Sequence, residues 1–212
     1  MPTWNSIFKT QKDILNDPIP EMKNVIEILK KMNARKVLDL GCGSGRHTIL
    51  LAKKGFEVYG LDNAKEGLAL TRKKLKALGL KAKLKNWDCY KPFPYRDGFF
   101  DAVVSTQTIN HNYRKKVQGC ISEMKRVLSP GGLIFVTVAS RRRLSPRAGL
   151  PGKFKTVAPN TYIPLDGHEK GIPHLIYTKA LLRQDFKGFE ILEACKDLER
   201  RKYCLFGRKP KE

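Results

Sequence analysis

The sequence is short of acid. Against 42 lysines and arginines it sets only 20 aspartates and glutamates, a formal net charge of +22 at pH 7. Such a surplus speeds encounters with RNA and other polyanions, and equally it keeps a protein soluble; it bears on association and not on fold. Cysteine is scarce as well. Cys42, Cys89, Cys120, Cys195 and Cys204 are odd in number and widely spread, with no C-x-x-C pair, which argues against a disulfide framework or a cysteine zinc site and predicts reduced thiols in a cytoplasmic protein. No apolar run approaches the roughly 20 residues that cross a bilayer, so no membrane partner is expected. The N-terminal stretch MPTWNSIFKTQKDIL lacks the apolar core and small-residue cleavage site of a secretory signal. Repeats, low-complexity segments and RNA-binding accessory motifs are absent too.

What is present is an ordinary globular composition, 41% hydrophobic over 212 residues, enough for one domain with a proper core. Helix and strand patterns alternate along it. Pro20 to Asn33 carries Met22, Val25, Ile26, Ile28 and Leu29 near one helical face, and Ala34 to Leu40 reads as an apolar strand. A helix is expected over Arg46 to Lys54, ended by Gly55, then a strand over Phe56 to Asp62 and a helix to about Leu78, ended by Gly79. KAKLKNWD and FFDAVVSTQ supply two further strands. A helix from Lys115 to Leu128 stops at Ser-Pro-Gly-Gly, and Leu133 to Val138 is apolar throughout, as a strand buried on both faces is. Strands and helices alternating at this spacing predict an α/β fold, a doubly wound parallel sheet between two helical layers. Its ligand then binds at the carboxyl ends of the strands, near the switch point.

The turn after the first strand, VLDLGCGSGRH, puts glycine at 41, 43 and 45. It is not the dinucleotide fingerprint, because Arg46 stands where the third glycine of G-x-G-x-x-G belongs, and no G-x-x-x-x-G-K-[ST] string exists for a triphosphate. Its neighbours are carboxylates at successive strand ends. Asp39 lies under the turn and can hold an ammonium directly or through water. Asp62 can accept from two ribose hydroxyls, or cap the next helix. Asp88 can accept from an adenine amino group beside Trp87, which serves equally as adenine wall or as core. A ribose, an adenine and a cationic amino acid fit this set, and a pyrophosphate does not; S-adenosylmethionine has these parts.

With those residues in view, the chain resembles the class I S-adenosylmethionine-dependent methyltransferases. VLDLGCGSG is similar to that family's first motif, VYGLD to its second, NWD to its third and FFDAVVSTQTINH to its fourth, with EMKRVLSPGGLIFVTV resembling the helix, turn and strand that follow. The resemblance covers roughly Val25 to Val138. It implies a three-layer, Rossmann-like single domain with a seven-stranded sheet whose last strand, here Lys202 to Lys209, is antiparallel and lies beside Phe189 to Ala194. It divides the chain into an N-terminal helical segment (1–33), a cofactor-binding core (34–138), a substrate-side insertion or lid (139–178) and a C-terminal helix and strand pair (179–212). The implied cofactor set is Asp39, Gly41, Cys42, Gly43, Gly45, Asp62, Asn63, Trp87, Asp88, Cys89 and Ser105, with no metal. His47 is read either as a surface residue or as part of the methionine end.

Methyl transfer from a sulfonium needs alignment above all, which can contribute roughly 7–11 kcal/mol, and a base only when the acceptor must lose a proton. Candidate bases are His111, just after the fourth strand, and His174 in IPLDGHEKGIPH, where Asp166, His168 and Glu169 also gather. Arg72, Lys73, Lys74, Lys76, Arg114 to Lys116 and the run SRRRLSPR (Ser140 to Arg147) could grip phosphate, or remain a solvated surface. The acceptor is expected to be a small molecule, with tRNA or rRNA as the alternative and cofactor binding without turnover as a third. Asn/Asp-Pro-Pro-Tyr and Pro-Cys strings of DNA base methylation are absent, and Ser105, Thr106 and Gln107 end the fourth strand instead.

Overall fold

The computed structural model describes residues 3–11, 17–141, 153–197 and 201–211. Its centre is one seven-stranded sheet in the order β3-β2-β1-β4-β5-β10-β9. The strands are β1 (Lys36–Leu40), β2 (Glu57–Asp62), β3 (Lys83–Asn86), β4 (Phe100–Thr106), β5 (Leu128–Ala139), β9 (Glu190–Lys196) and β10 (Lys202–Arg208). β1 pairs parallel with β2 and β4, β2 with β3 and β4 with β5, while β10 runs antiparallel to both β5 and β9. The expected Rossmann-like, seven-stranded sheet with an antiparallel last strand is what the chain forms.

Helices cover both faces because the strands alternate. Val37, Leu133 and Phe135 face α2 (Met22–Lys31) and α3 (Arg46–Lys53), packing on Met22, Val25, Leu29 and Leu51. Their neighbours Leu38, Ile134 and Val136 point the other way, onto Val117, Cys120 and Met124 of α5 (Arg114–Val127) and Leu182 of α6 (Lys179–Asp185). Period two in the strands and 3.6 in the helices thus give two apolar cores about one sheet. Local polar contacts fix the register: Asp101 accepts from the N–H groups of Arg35 and Lys36 at 2.8 and 2.9 Å, clamping the start of β1 to β4. Thr178 caps α6, accepting from Leu181 N–H at 3.1 Å.

Two features go beyond or against the sequence reading. The Ser-Pro-Gly-Gly segment is no separate turn but the irregular beginning of β5, with a register shift between Phe100 and Ala102 of its partner β4. The expected insertion after β5 carries strands of its own. β6 (Phe154–Ala158), β7 (Thr161–Pro164) and β8 (His174–Leu175) make a second, antiparallel three-stranded sheet. Of the arginine run, residues 142–147 lie outside the described residues. The N-terminus holds a short helix, α1 (Trp4–Gln11), opened by a reciprocal pair of hydrogen bonds between Thr3 and Ser6, which packs on α4 (Lys65–Ala77). Among the described residues no helix is long and apolar enough to cross a membrane.

Candidate active site

A cavity of about 680 Å³ lies at the carboxyl ends of β1, β2 and β4, where the strand order reverses between β1 and β4. The glycine turn forms its floor. Gly41 has φ +74° and Gly43 φ +51°, which L side chains rarely adopt. A Cβ at Gly41 would collide with Thr108, and one at Gly43 would stand 2.9 Å from the Phe8 ring. The turn is therefore glycine-rich both for its dihedrals and because two segments press on it.

Asp62 locks that turn. One oxygen accepts from Gly43 N–H at 2.8 Å and the other from Ala64 N–H at 2.7 Å. A carboxylate has about four acceptor positions, so two backbone donors leave capacity for a pair of hydroxyls. Burial pushes its pKa up, against the lowering effect of those two hydrogen bonds. Asp88 likewise accepts from Tyr90 N–H at 2.9 Å and borders the cavity. Trp87 and Tyr90 supply flat walls; the Trp87 indole donates to Pro92 O at 3.0 Å and the Tyr90 hydroxyl to Ile109 O at 3.3 Å.

Of the sequence-expected set, Gly41, Cys42, Gly43, Asp62, Asn63, Trp87, Asp88 and Cys89 line this cavity together with His111. Asp39, Gly45 and Ser105 do not. Asp39 is buried under the turn and accepts from the Thr48 hydroxyl at 2.6 Å; burial, opposed by that bond and by Arg46, raises its pKa to about 6. Gly45 begins α3 at φ +88°. The Ser105 hydroxyl donates to Leu40 O at 3.1 Å, because in a strand of period two it is Thr106 that turns to the cavity. His47 is not a surface residue. Its Nε2 accepts from Ile19 N–H at 3.3 Å, so Nδ1 carries the hydrogen that it donates to Thr106 Oγ1 at 3.0 Å. Burial drives the imidazole pKa down to about 3.

The far end of the cavity is built from distant segments. His111 and Asn112 come from the loop after β4, and His168, Glu169, Ile172 and Pro173 from the stretch between β7 and β8. His174 is fully buried beside His111, their rings 4.8 Å apart at 84°. The Trp4 ring of α1 also lies 4.8 Å from the His111 ring, and Phe8 covers the glycine turn. Sequence reasoning missed Trp4 and Phe8, whose only signal is an amphipathic pattern. Arg114 is not available to phosphate, since it is held by Asp185 at 2.7 Å and Gln184 at 2.8 Å.

The chemistry of the lining is a second test of what fits. Among the described residues it contains three carboxylates, Asp62, Asp88 and Glu169, and one lysine or arginine, Arg46. Within a chain of net charge +22 this cavity is acidic, suited to a ligand bearing positive charge and hydroxyl groups. The residues present fit S-adenosylmethionine.

Comparison with known proteins agrees. Residues 37–132 match the family model described as "Methyltransferase domain". The chain is 32% identical over 118 residues to demethylmenaquinone methyltransferase of Thermus thermophilus, covering 54% of this chain and 51% of that protein. It is 30% identical over 110 residues to ribosomal RNA small subunit methyltransferase C of Alcanivorax borkumensis, covering 50% of this chain and 32% of that one. The chain thus spans about half or less of the length of these relatives. A solved S-adenosylmethionine-dependent methyltransferase from Methanosarcina mazei superposes with a TM-score of 0.74 at 22% identity, over 92% of this chain and 100% of the other, which establishes the shared fold. Glycine turn, strand-end carboxylates and family match converge: residues 37–132 match a methyltransferase-domain family model, on a fold shared with a solved S-adenosylmethionine-dependent methyltransferase.

Proposed function

We propose that the protein transfers the methyl group of S-adenosylmethionine to a small-molecule acceptor bound at the His111 end of the cavity. The observation that carries this reading is the acid-lined, partly enclosed cavity in a basic protein. Its volume falls within the ~300–1,000 Å³ of small-molecule sites. Among the described residues, its acceptor end, walled by Trp4, His111, Asn112, Glu169, Ile172 and Pro173, offers no lysine or arginine to a phosphate chain.

Bound there, S-adenosylmethionine supplies an already activated methyl group. The chain's own part is binding and alignment. Asp62 orders the glycine turn and keeps acceptor capacity for hydroxyls, Asp88 offers the same beside Trp87, and α1 excludes water with Phe8. His111 touches the acceptor and sets its orientation, the term on which a displacement in line with a leaving group depends. His174, behind it, positions His111 and does not touch the acceptor.

Transfer to rRNA or tRNA is the second reading, favoured by the net charge and by the kind of relative that matches. The deciding experiment incubates the protein with methyl-labelled S-adenosylmethionine and extract of its own source, then separates small molecules, RNA and protein. Label in small molecules is the expected result. Label in RNA that ribonuclease removes, with steep salt dependence, would replace it with the second reading; label nowhere would leave a cofactor-binding protein without turnover.

A further inference from the structure

The acceptor end holds one grouping that alignment of a methyl acceptor does not require. One ligand-type atom each from His111, Glu169 and His174 lies within 4.8 Å of the others, and His174 Nε2 stands 3.6 Å from Glu169 Oε2. The grouping is assembled by backbone contacts. Leu175 N–H donates to Asn110 O at 2.7 Å, drawing β8 against the loop that carries His111. Ile172 N–H donates to Glu169 O at 3.0 Å and Gly171 N–H to Pro164 O at 2.9 Å, folding the Glu169 turn back onto the end of β7. Trp4 packs on the His111 ring, with centroids 4.8 Å apart.

We propose that His111, Glu169 and His174 form a binding site for a divalent first-row transition metal, with Zn²⁺ the best match. Two imidazoles and one carboxylate are a donor set of catalytic zinc sites, which keep a fourth position open. They suit Mg²⁺ or Ca²⁺ poorly, since those ions favour oxygen ligands throughout. At Zn–ligand bonds of ~2.0–2.2 Å, tetrahedral ligand atoms lie about 3.3–3.6 Å apart. The Glu169–His174 pair is already near that spacing, and separations of up to 4.8 Å within the group must close by about 1.3 Å around the ion. His111 and Glu169 border the cavity while His174 is buried behind them, so the open position faces the acceptor. The metal site goes beyond the methyltransferase reading and does not depend on it.

The test uses the full chain, dialysed against a chelator and titrated with Zn²⁺ in competition with a chromophoric indicator. One zinc per chain is expected. Glu169→Gln keeps the shape of a partly exposed side chain and is expected to weaken zinc binding on the order of 100-fold or more, since even residues one step removed from a metal change affinity ~10–100-fold. A thermal melt of the metal-free variant checks that it folds. Co²⁺ in place of Zn²⁺ separates this site from the cysteines: d–d bands without thiolate charge-transfer absorption are expected. No zinc bound, unchanged affinity in Glu169→Gln, or a thiolate band that identifies Cys89 as the ligand would each overturn the proposal. S-adenosylhomocysteine binding measured on the same samples keeps the two readings apart. Cofactor binding without zinc sinks only the metal site, and zinc without cofactor binding sinks only the methyltransferase reading.

Discussion

The two ends of the cavity, which we assign to cofactor and to acceptor, are made differently. At the cofactor end, the glycine turn, Asp62 and Asp88 follow consecutive parallel strands, and the backbone itself does much of the work: Asp62 is bonded to two N–H groups, and each glycine is where a side chain would collide or strain. At the acceptor end, side chains from the β4 loop, the β7–β8 turn and α1 meet through a few long-range contacts, chiefly Leu175 N–H to Asn110 O. The first end can vary little without losing its ligand, and the second is where loops of one fold diverge in acceptor.

The largest expected effect breaks the cofactor end. Asp62→Ala removes a carboxylate that orders the turn and is assigned to the ribose; hydrogen bonds to charged groups are worth ~1.5–3 kcal/mol each. S-adenosylhomocysteine affinity is therefore expected to fall on the order of 10²–10³-fold by calorimetry. Because Asp62 also satisfies Gly43 and Ala64, a modest loss of thermal stability should accompany it. Native affinity in a folded variant would remove Asp62 from the site.

Asp39 sharpens the same end, because there ligand binding and stability pull apart. Its carboxyl is raised by burial from 3.8 to about 6, so the folded protein holds that proton more tightly than the unfolded chain. The associated stability is present below pH ~4 and lost as pH rises through 6, up to about 3 kcal/mol. Asp39→Asn, which can still accept from Thr48, should raise the stability of the cofactor-free protein at pH 8 by ~2–3 kcal/mol in urea unfolding and change it little at pH 4. His47 acts in the opposite sense. Its pKa, lowered to about 3, gives stability present above pH ~6.5 and lost as pH falls, a limb that both proteins should share. Equal stability of the two at pH 8 would mean that Arg46 offsets the buried charge.

The acceptor end answers to a different variant. His111→Ala should lower kcat on the order of 100-fold, the cost of misplacing a reactant by about an ångström, while S-adenosylhomocysteine affinity stays within about threefold. If cofactor affinity fell as far as turnover, the two ends would not be separable.

How much of this could be read from the chain follows the same division. The alternating elements and the strand-end positions of Asp62, Trp87, Asp88 and Cys89 are local patterns, and a glycine turn between strand and helix declares its dihedrals in its composition. Ser105 was legible as a polar strand end but not in its direction. The pleat turns it to Leu40 and Thr106 to the cavity. Asp39, two residues before the turn, is directed beneath it for a related reason. His111 and His174 are candidates by residue type alone; their contact exists because β8 pairs within a second sheet that no periodicity in IPLDGHEKGIPH announces.

Helix α1 joins the two ends and provides the smallest and most informative test. Asn5 accepts from Glu66 N–H at 3.0 Å, fastening α1 to the first turn of α4, so that Phe8 lies over Gly43 and Trp4 against His111. An aromatic contact of this kind is worth ~0.5–1.5 kcal/mol beyond the area it buries. Phe8→Ala should therefore weaken S-adenosylhomocysteine binding about tenfold and leave acceptor KM nearly unchanged. Trp4→Ala should do the reverse, raising acceptor KM several-fold at constant cofactor affinity. If both variants instead altered both constants equally, α1 would act as one rigid cover over a single undivided site, and the contrast between the two ends would lie in their construction and not in their energetics.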